Sequence, residues 1–133
     1  MAYKIELVDN EQGIVTIFSD TFSQVDMDSS TAEKLAMPYN PKTVFVLNDF
    51  SAVNNVDVPT NSIRENAATT VKAATEHQPL FHATVMPSDL LAGLGRLWAS
   101  NAGDSGWKLH TYRERADAEK AIRVEFQTDF TFQ

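Results

Sequence analysis

Side chains able to do chemistry concentrate between Asn48 and Asp57, where the chain reads NDFSAVNNVD directly after the apolar run VFVL. Two carboxylates, Asp49 and Asp57, flank the stretch, and such a pair serves as general acid and base only if the fold brings the groups together. In open α/β sheets, ligands meet the carboxyl ends of strands and the first turns of the following helices. Asn48, Asp49, Ser51, Asp57, Thr60 and Ser62 therefore form a candidate rim for binding a partner or ligand. The same residues have a plainer use. Asn48 and Asp49 suit a turn leaving the strand, and Thr60 or Ser62 suits the cap of a helix.

Other chemistry-bearing residues are scattered. His77, His82 and His110 include no H-E-x-x-H or similar spacing, although His82 and His110 fall in separate expected strands that could be neighbours. Neither a metal nor a cofactor is expected. The run DMDSST from Asp26 opens like a calcium loop, but Thr31 stands where its glycine is required and Met37 where its bidentate glutamate is required. Gly93 and Gly95 lie within an expected helix rather than in a strand-to-helix phosphate loop, which points to close helix packing. Ser105 in GDSGW precedes a strand and lacks the strand-to-helix elbow of a serine nucleophile. No catalytic residue is assigned.

The elements that must position these side chains follow from periodicity. Tyr3 to Asp9 alternates with period two, and after turn residues ending at Gly13 a second strand runs from Ile14 to Phe18, giving an antiparallel hairpin. Gly13 is placed there for its freedom to adopt positive φ. A polar loop is expected over 19–30, then a short helix to Met37, capped by Ser30 or Thr31 and ended by Pro38 and Pro41. TVFVL, 43–47, has the continuous β-branched and apolar character of an interior strand. Helix 62–76 carries Ile63, Ala67, Val71 and Ala74 on one stripe, and Pro79 ends the pattern. A strand follows over 80–85. The helix over 88–100 is capped by Ser88, ended near Gly103, and lines up Leu90, Leu91, Leu94, Leu97 and Trp98. A strand over 107–112 and a helix over 113–122 complete an α/β order that implies a small mixed, mainly parallel sheet. Beyond the 3–123 core, residues 124–133 alternate Val124, Phe126, Phe130 and Phe132 with polar residues. That pattern predicts an extended tail that packs on its own domain or across a homodimer, with a disordered tail as the remaining alternative. Phe126, Phe130 and Phe132 are the candidates for self-association.

Size and charge narrow the function. The 133 residues fit one domain, and 43 % apolar content is enough for a packed core. The net charge is −7, and the first forty residues hold seven acids against Lys4 and Lys34, which opposes binding to phosphate backbones or anionic lipid. Four bases meet four acids between Arg113 and Glu125, so no basic stripe compensates. With no cysteine, disulfides, thiolate nucleophiles and cysteine-bound metals are excluded. The N-terminus has no apolar signal core and no window approaches eighteen apolar residues, so a cytoplasmic protein without membrane insertion is expected.

Asp49-Phe50-Ser51 leaving a strand and Val56-Asp57 preceding a helix resemble the signature of STAS domains, the anti-sigma-factor-antagonist family. FHATV, a helix ending LWAS, WKLHTY and a final EKAI helix are most similar to its divergent SpoIIAA-like branch, over roughly residues 3 to 123. The resemblance implies a small αβ sandwich that regulates through protein contact. In the partner-switching members a serine at the helix start is phosphorylated. Val58 and Pro59 occupy the two positions after Asp57, so the usual phosphoserine switch is not expected at its usual place; Thr60 or Ser62 could be modified instead, although nothing in the spacing requires it. The leading expectation is a non-catalytic protein-interaction domain. The alternative is a binder of a small apolar molecule or lipid in a pocket between the sheet and helix 88–100. An enzyme would require Asp49, Asp57 and a histidine to converge.

Overall fold

Strand length is where the fold departs most from local pattern. In the computed structural model, which describes residues 2–36, 42–74 and 80–133, the polar stretch NDFSAVNNVD is not a loop. It continues β3, one strand from Phe45 to Asp57. Its polar half is held by a partner: β2, Gly13–Ser23, runs parallel to it and is itself far longer than the expected 14–18. Register shifts between Ile17 and Ser19 and between Asp20 and Thr21 let the two strands stay paired to Ser23 and Asp57. Backbone pairing at these positions outweighs the weak β preference of Asn and Asp.

The remaining elements are β1 (Tyr3–Val8), α1 (Gln24–Ala36), α2 (Thr60–Ala74), β4 (Phe81–Val85), α3 (Asp89–Asn101), β5 (Lys108–Tyr112) and α4 (Arg115–Phe126). The sheet order is β1-β2-β3-β4-β5, antiparallel between β1 and β2 and parallel elsewhere. This is the mixed α/β sheet that the element order predicts. Each parallel step crosses over through a helix, and right-handed crossovers in one direction put α1, α2 and α3 on the same face. α4 follows the last strand and covers the opposite face.

α1 starts earlier than its sequence suggests. Ser23 accepts a hydrogen bond from the Asp26 amide at 3.2 Å, so it acts as the cap, and Ser30 sits inside the helix bonded to the Met27 carbonyl. The expected loop over 19–30 is thus the end of a strand and the start of a helix. Met37, Pro38, Pro41, His77 and Pro79 lie outside the described residues. Ser88 caps α3 through the Leu91 amide at 3.2 Å. Leu91, Leu94, Leu97 and Trp98 face inward as expected, whereas Leu90 is exposed.

Two apolar layers result. Beneath α4, Phe45, Leu47, Val85, Ile122 and their neighbours are almost wholly buried. Under α1–α3 lie Phe18, Phe22, Met27, Phe50, Ile63, Met86 and Leu91. The C-terminal tail joins the first layer. α4 takes in Val124 and Phe126, and Gln127 ends it in the left-handed region, so the tail begins later than the alternation indicates. Phe130 is 2 % exposed and meets Phe45 edge-on at 5.0 Å, while Phe132 lies 5.6 Å from Phe45 beneath the Arg123 guanidinium. Phe126 meets Phe81 and Phe130. All three candidate assembly rings are used within their own chain.

Gly13 is needed for space and not for positive φ. A Cβ there would stand 2.0 Å from the Phe45 ring, and that ring is fully buried. The positive angles fall instead on Asp9, Asn10 and Glu11. Gly13→Ala is expected to destabilise the fold by about 2–3 kcal/mol through overpacking, read from denaturant midpoints at unchanged m-value. Gly95 has the same logic in milder form, since its added Cβ would meet the flexible Met86 sulfur at 2.7 Å.

Candidate functional site

Alternation along β3 sends neighbouring side chains to opposite faces. Asp49 points toward α4. It is 5 % exposed, accepts the Ser51 amide at 2.9 Å and the Arg115 guanidinium at 3.2 Å, and Arg115 in turn holds Glu119 at 2.7 Å. Desolvation opposes the Arg115 charge, but the hydrogen bonds and charges of Glu119 and Asp49 prevail and hold its pKa up. This ion pair ties β3 to α4. Asn48, one residue earlier, points the other way, beneath α1–α3.

The candidate rim is therefore divided. Asn48 and Asp49 lie on opposite sides of the sheet, Ser51 and Asp57 are exposed along the far half of β3, and Thr60 opens α2 exposed to solvent. Ser62 is buried in the first turn of α2, its amide bonded to the Pro59 carbonyl. The histidines are divided as well. His82 shares the Asn48 side, while His110 stacks on Phe81 of the α4 layer at 5.0 Å. Asp49, Asp57 and the described histidines, His82 and His110, do not form one acid–base group. Among the described residues no cluster of three or more histidines or carboxylates could hold a metal.

What the fold builds instead is a cavity of about 180 Å³ between the sheet and α1–α3. Apolar side chains dominate its wall, among them Phe18, Phe22, Phe50, Met86 and Leu94. Through this wall runs a connected set of polar groups. Lys34 of α1 donates to Asn48 Oδ1 at 3.1 Å, and Asn48 Nδ2 lies 3.2 Å from His82 Nε2. Lysine can only donate, so it fixes the Asn48 amide with its NH₂ toward the imidazole; His82 Nε2 accepts and Nδ1 carries the proton. The His82 ring stacks on Trp98 at 4.8 Å and lies nearly parallel to Trp107 at 6.1 Å. Trp98 donates to Asn66 Oδ1, and Asn66 donates to Thr31, both at 2.9 Å.

Burial sets the electrostatics of this wall. It pushes the Lys34 ammonium down to about 8, and pushes His82 down to about 3, with the Lys34 charge adding to the effect and a backbone hydrogen bond at His82 opposing it. His82 is neutral at physiological pH, and Lys34 is a half-buried cation. No carboxylate lies within 4.0 Å of its ammonium among the described residues. The Trp107 Nε1–H is buried and likewise lacks an acceptor among them.

Lys34, Asn66, Trp98 and Trp107 have no place in the sequence-derived rim. A signal for Lys34 existed: Met27, Ser30, Thr31 and Lys34 follow at i, i+3, i+4 and i+7, one helical stripe. It becomes legible only once α1 is known to start at Gln24. Fold and site together define the class as an α/β protein with three helices on one sheet face enclosing a ligand-sized, largely apolar cavity. Comparison of the chain with protein-family models gives no match, and comparison with curated proteins gives none either.

Proposed function

We propose that this chain is a non-catalytic binding protein for a small, predominantly apolar molecule held between the sheet and helices α1–α3. The observation that carries this reading is the cavity itself: apolar walls with a few fixed polar groups, the usual composition of a small-molecule site. Its volume of about 180 Å³ is close to that of a cavity of roughly 150 Å³ that takes up benzene, so the ligand is compact. Trp98 and Trp107 are the two tryptophans of the chain, and both line the cavity. Titration with iodobenzene is expected to give saturable one-to-one quenching of tryptophan emission, and native mass spectrometry of fresh protein to show a retained mass. Unchanged emission together with a bare protein mass removes the reading.

A STAS-like protein-interaction role is the second reading. The exposed polar half of β3 supports it, where Ser51 and Asp57 lie open near Thr60 at the start of α2. A homodimer belongs to this reading, and light scattering that finds only monomer at high micromolar concentration would remove that part.

A further inference from the structure

We propose that the molecule this cavity takes is a small monocarboxylate, its carboxylate against Lys34 and its apolar body against Trp98 and Trp107. The inference rests on the binding reading above and adds the chemistry of the head group.

It follows from which polar groups the wall has already used. The amide and imidazole acceptors of the wall are each engaged: Asn48 Oδ1 by Lys34, His82 Nε2 by Asn48, and Asn66 Oδ1 by Trp98. Apart from the hydroxyls of Ser30, Thr31, Thr70 and Thr84, which can serve either way, the groups left over are donors. Lys34 spends one of three N–H bonds on Asn48, and the buried Trp107 N–H has no acceptor among the described residues. Trp107 lies beside His82, and His82 is one hydrogen-bonded residue removed from Lys34. A cavity with spare donors complements a ligand rich in acceptors.

Charge narrows the class further. Lys34 is the one cation among the described lining residues, with His82 neutral and no carboxylate in the wall. An ammonium in an apolar setting without a counter-ion is unfavourable, and a bound anion relieves it. One positive charge balances a monoanion, whereas a phosphate dianion would leave surplus charge in a largely apolar cavity. The protein as a whole is acidic, so the attraction is local to the cavity.

Calorimetric titration of the full chain at pH 7 tests this with two matched sets: octanoate, octanamide and octyl phosphate, and 3-phenylpropionate with its amide. In at least one set the carboxylate is expected to bind ten-fold or more tightly than its amide. Lys34→Met is expected to abolish that preference while retaining amide binding, and raising the wild-type protein to pH 9.5, above the Lys34 pKa of about 8, is expected to reduce it similarly. Equal affinities for acid and amide in both sets overturn the head-group assignment and leave the apolar-binding reading standing. Tighter binding of octyl phosphate than octanoate overturns the carboxylate. If no member binds and iodobenzene does not either, the cavity reading falls first. Thermal melts of Lys34→Met separate a lost preference from a lost fold.

Discussion

Acidification from pH 8 to pH 4 is expected to remove about 3 kcal/mol of stability through His82 alone. The imidazole titrates near 3 in the folded protein and near 6.5 in an unfolded chain. Between those values the unfolded state binds the proton and the folded state does not. Stability is therefore fully present above pH 6.5 and is lost progressively as pH falls toward 3. The structural cause is threefold. The ring is 6 % exposed, Lys34 sits one hydrogen-bonded residue away, and Nε2 already accepts from Asn48, so protonation would set two donors against each other. Urea denaturation at intervals between pH 8 and pH 4 checks it. His82→Gln retains an acceptor for Asn48 but has no titrating group, so it should be less stable at pH 8 and clearly flatter toward acid. An identical acid slope in both proteins would assign the loss to carboxylates elsewhere.

Lys34→Met is expected to stabilise the protein by about 2 kcal/mol at pH 7, or about 6 °C in melting temperature. Burial lowers the folded-state pKa to about 8 from an ordinary 10.5. Below pH 8 the folded protein carries a desolvated ammonium that the unfolded chain hydrates freely. The shift would correspond to about 3 kcal/mol for a group wholly shielded from water, and the partial exposure of Lys34 reduces it. Methionine matches the stem, removes the charge and leaves only the Asn48 carbonyl without its donor. The gain should shrink as pH rises from 8 toward 10.5, because the wild-type amine then loses its proton in the folded state first. Paired melts at pH 7 and pH 10 read both the gain and its closing. A destabilised variant at pH 7 would mean that the hydrogen bond to Asn48 outweighs desolvation. A residue that weakens its own fold at neutral pH is what the proposed binding role would require of Lys34.

Much of the architecture was legible locally. The hairpin strands, VFVL, FHATV, the Ser88-capped helix and the helix before Val124 each carry a periodicity or a cap that near neighbours alone enforce. Their alternation implied the α/β sheet. The failures share a cause. NDFSAVNNVD looks like a loop because Asn and Asp disfavour strands, yet it extends β3 because Ser19 to Ser23 of β2 pair with it. Val124 and Phe126 alternate like a strand, yet they finish α4 because Phe126 is held against Phe81 and Phe130.

The site divides in the same way. Composition alone ruled out cysteine chemistry and gave the chain its acidity, since those properties belong to side chains wherever they lie. Asn48 was legible as a polar residue at a strand end, but its bond to Lys34, fourteen positions earlier, was not. Nor was the separation of Asp49 from Asn48, for a strand's alternation assigns faces only once helices cover them. Lys34, Asn66, His82, Trp98 and Trp107 come from four helices and strands and a loop, and only packing brings them together. Burial, which makes one of these groups a depressed cation and another a neutral imidazole, is a property of the assembled layers and of no segment taken singly.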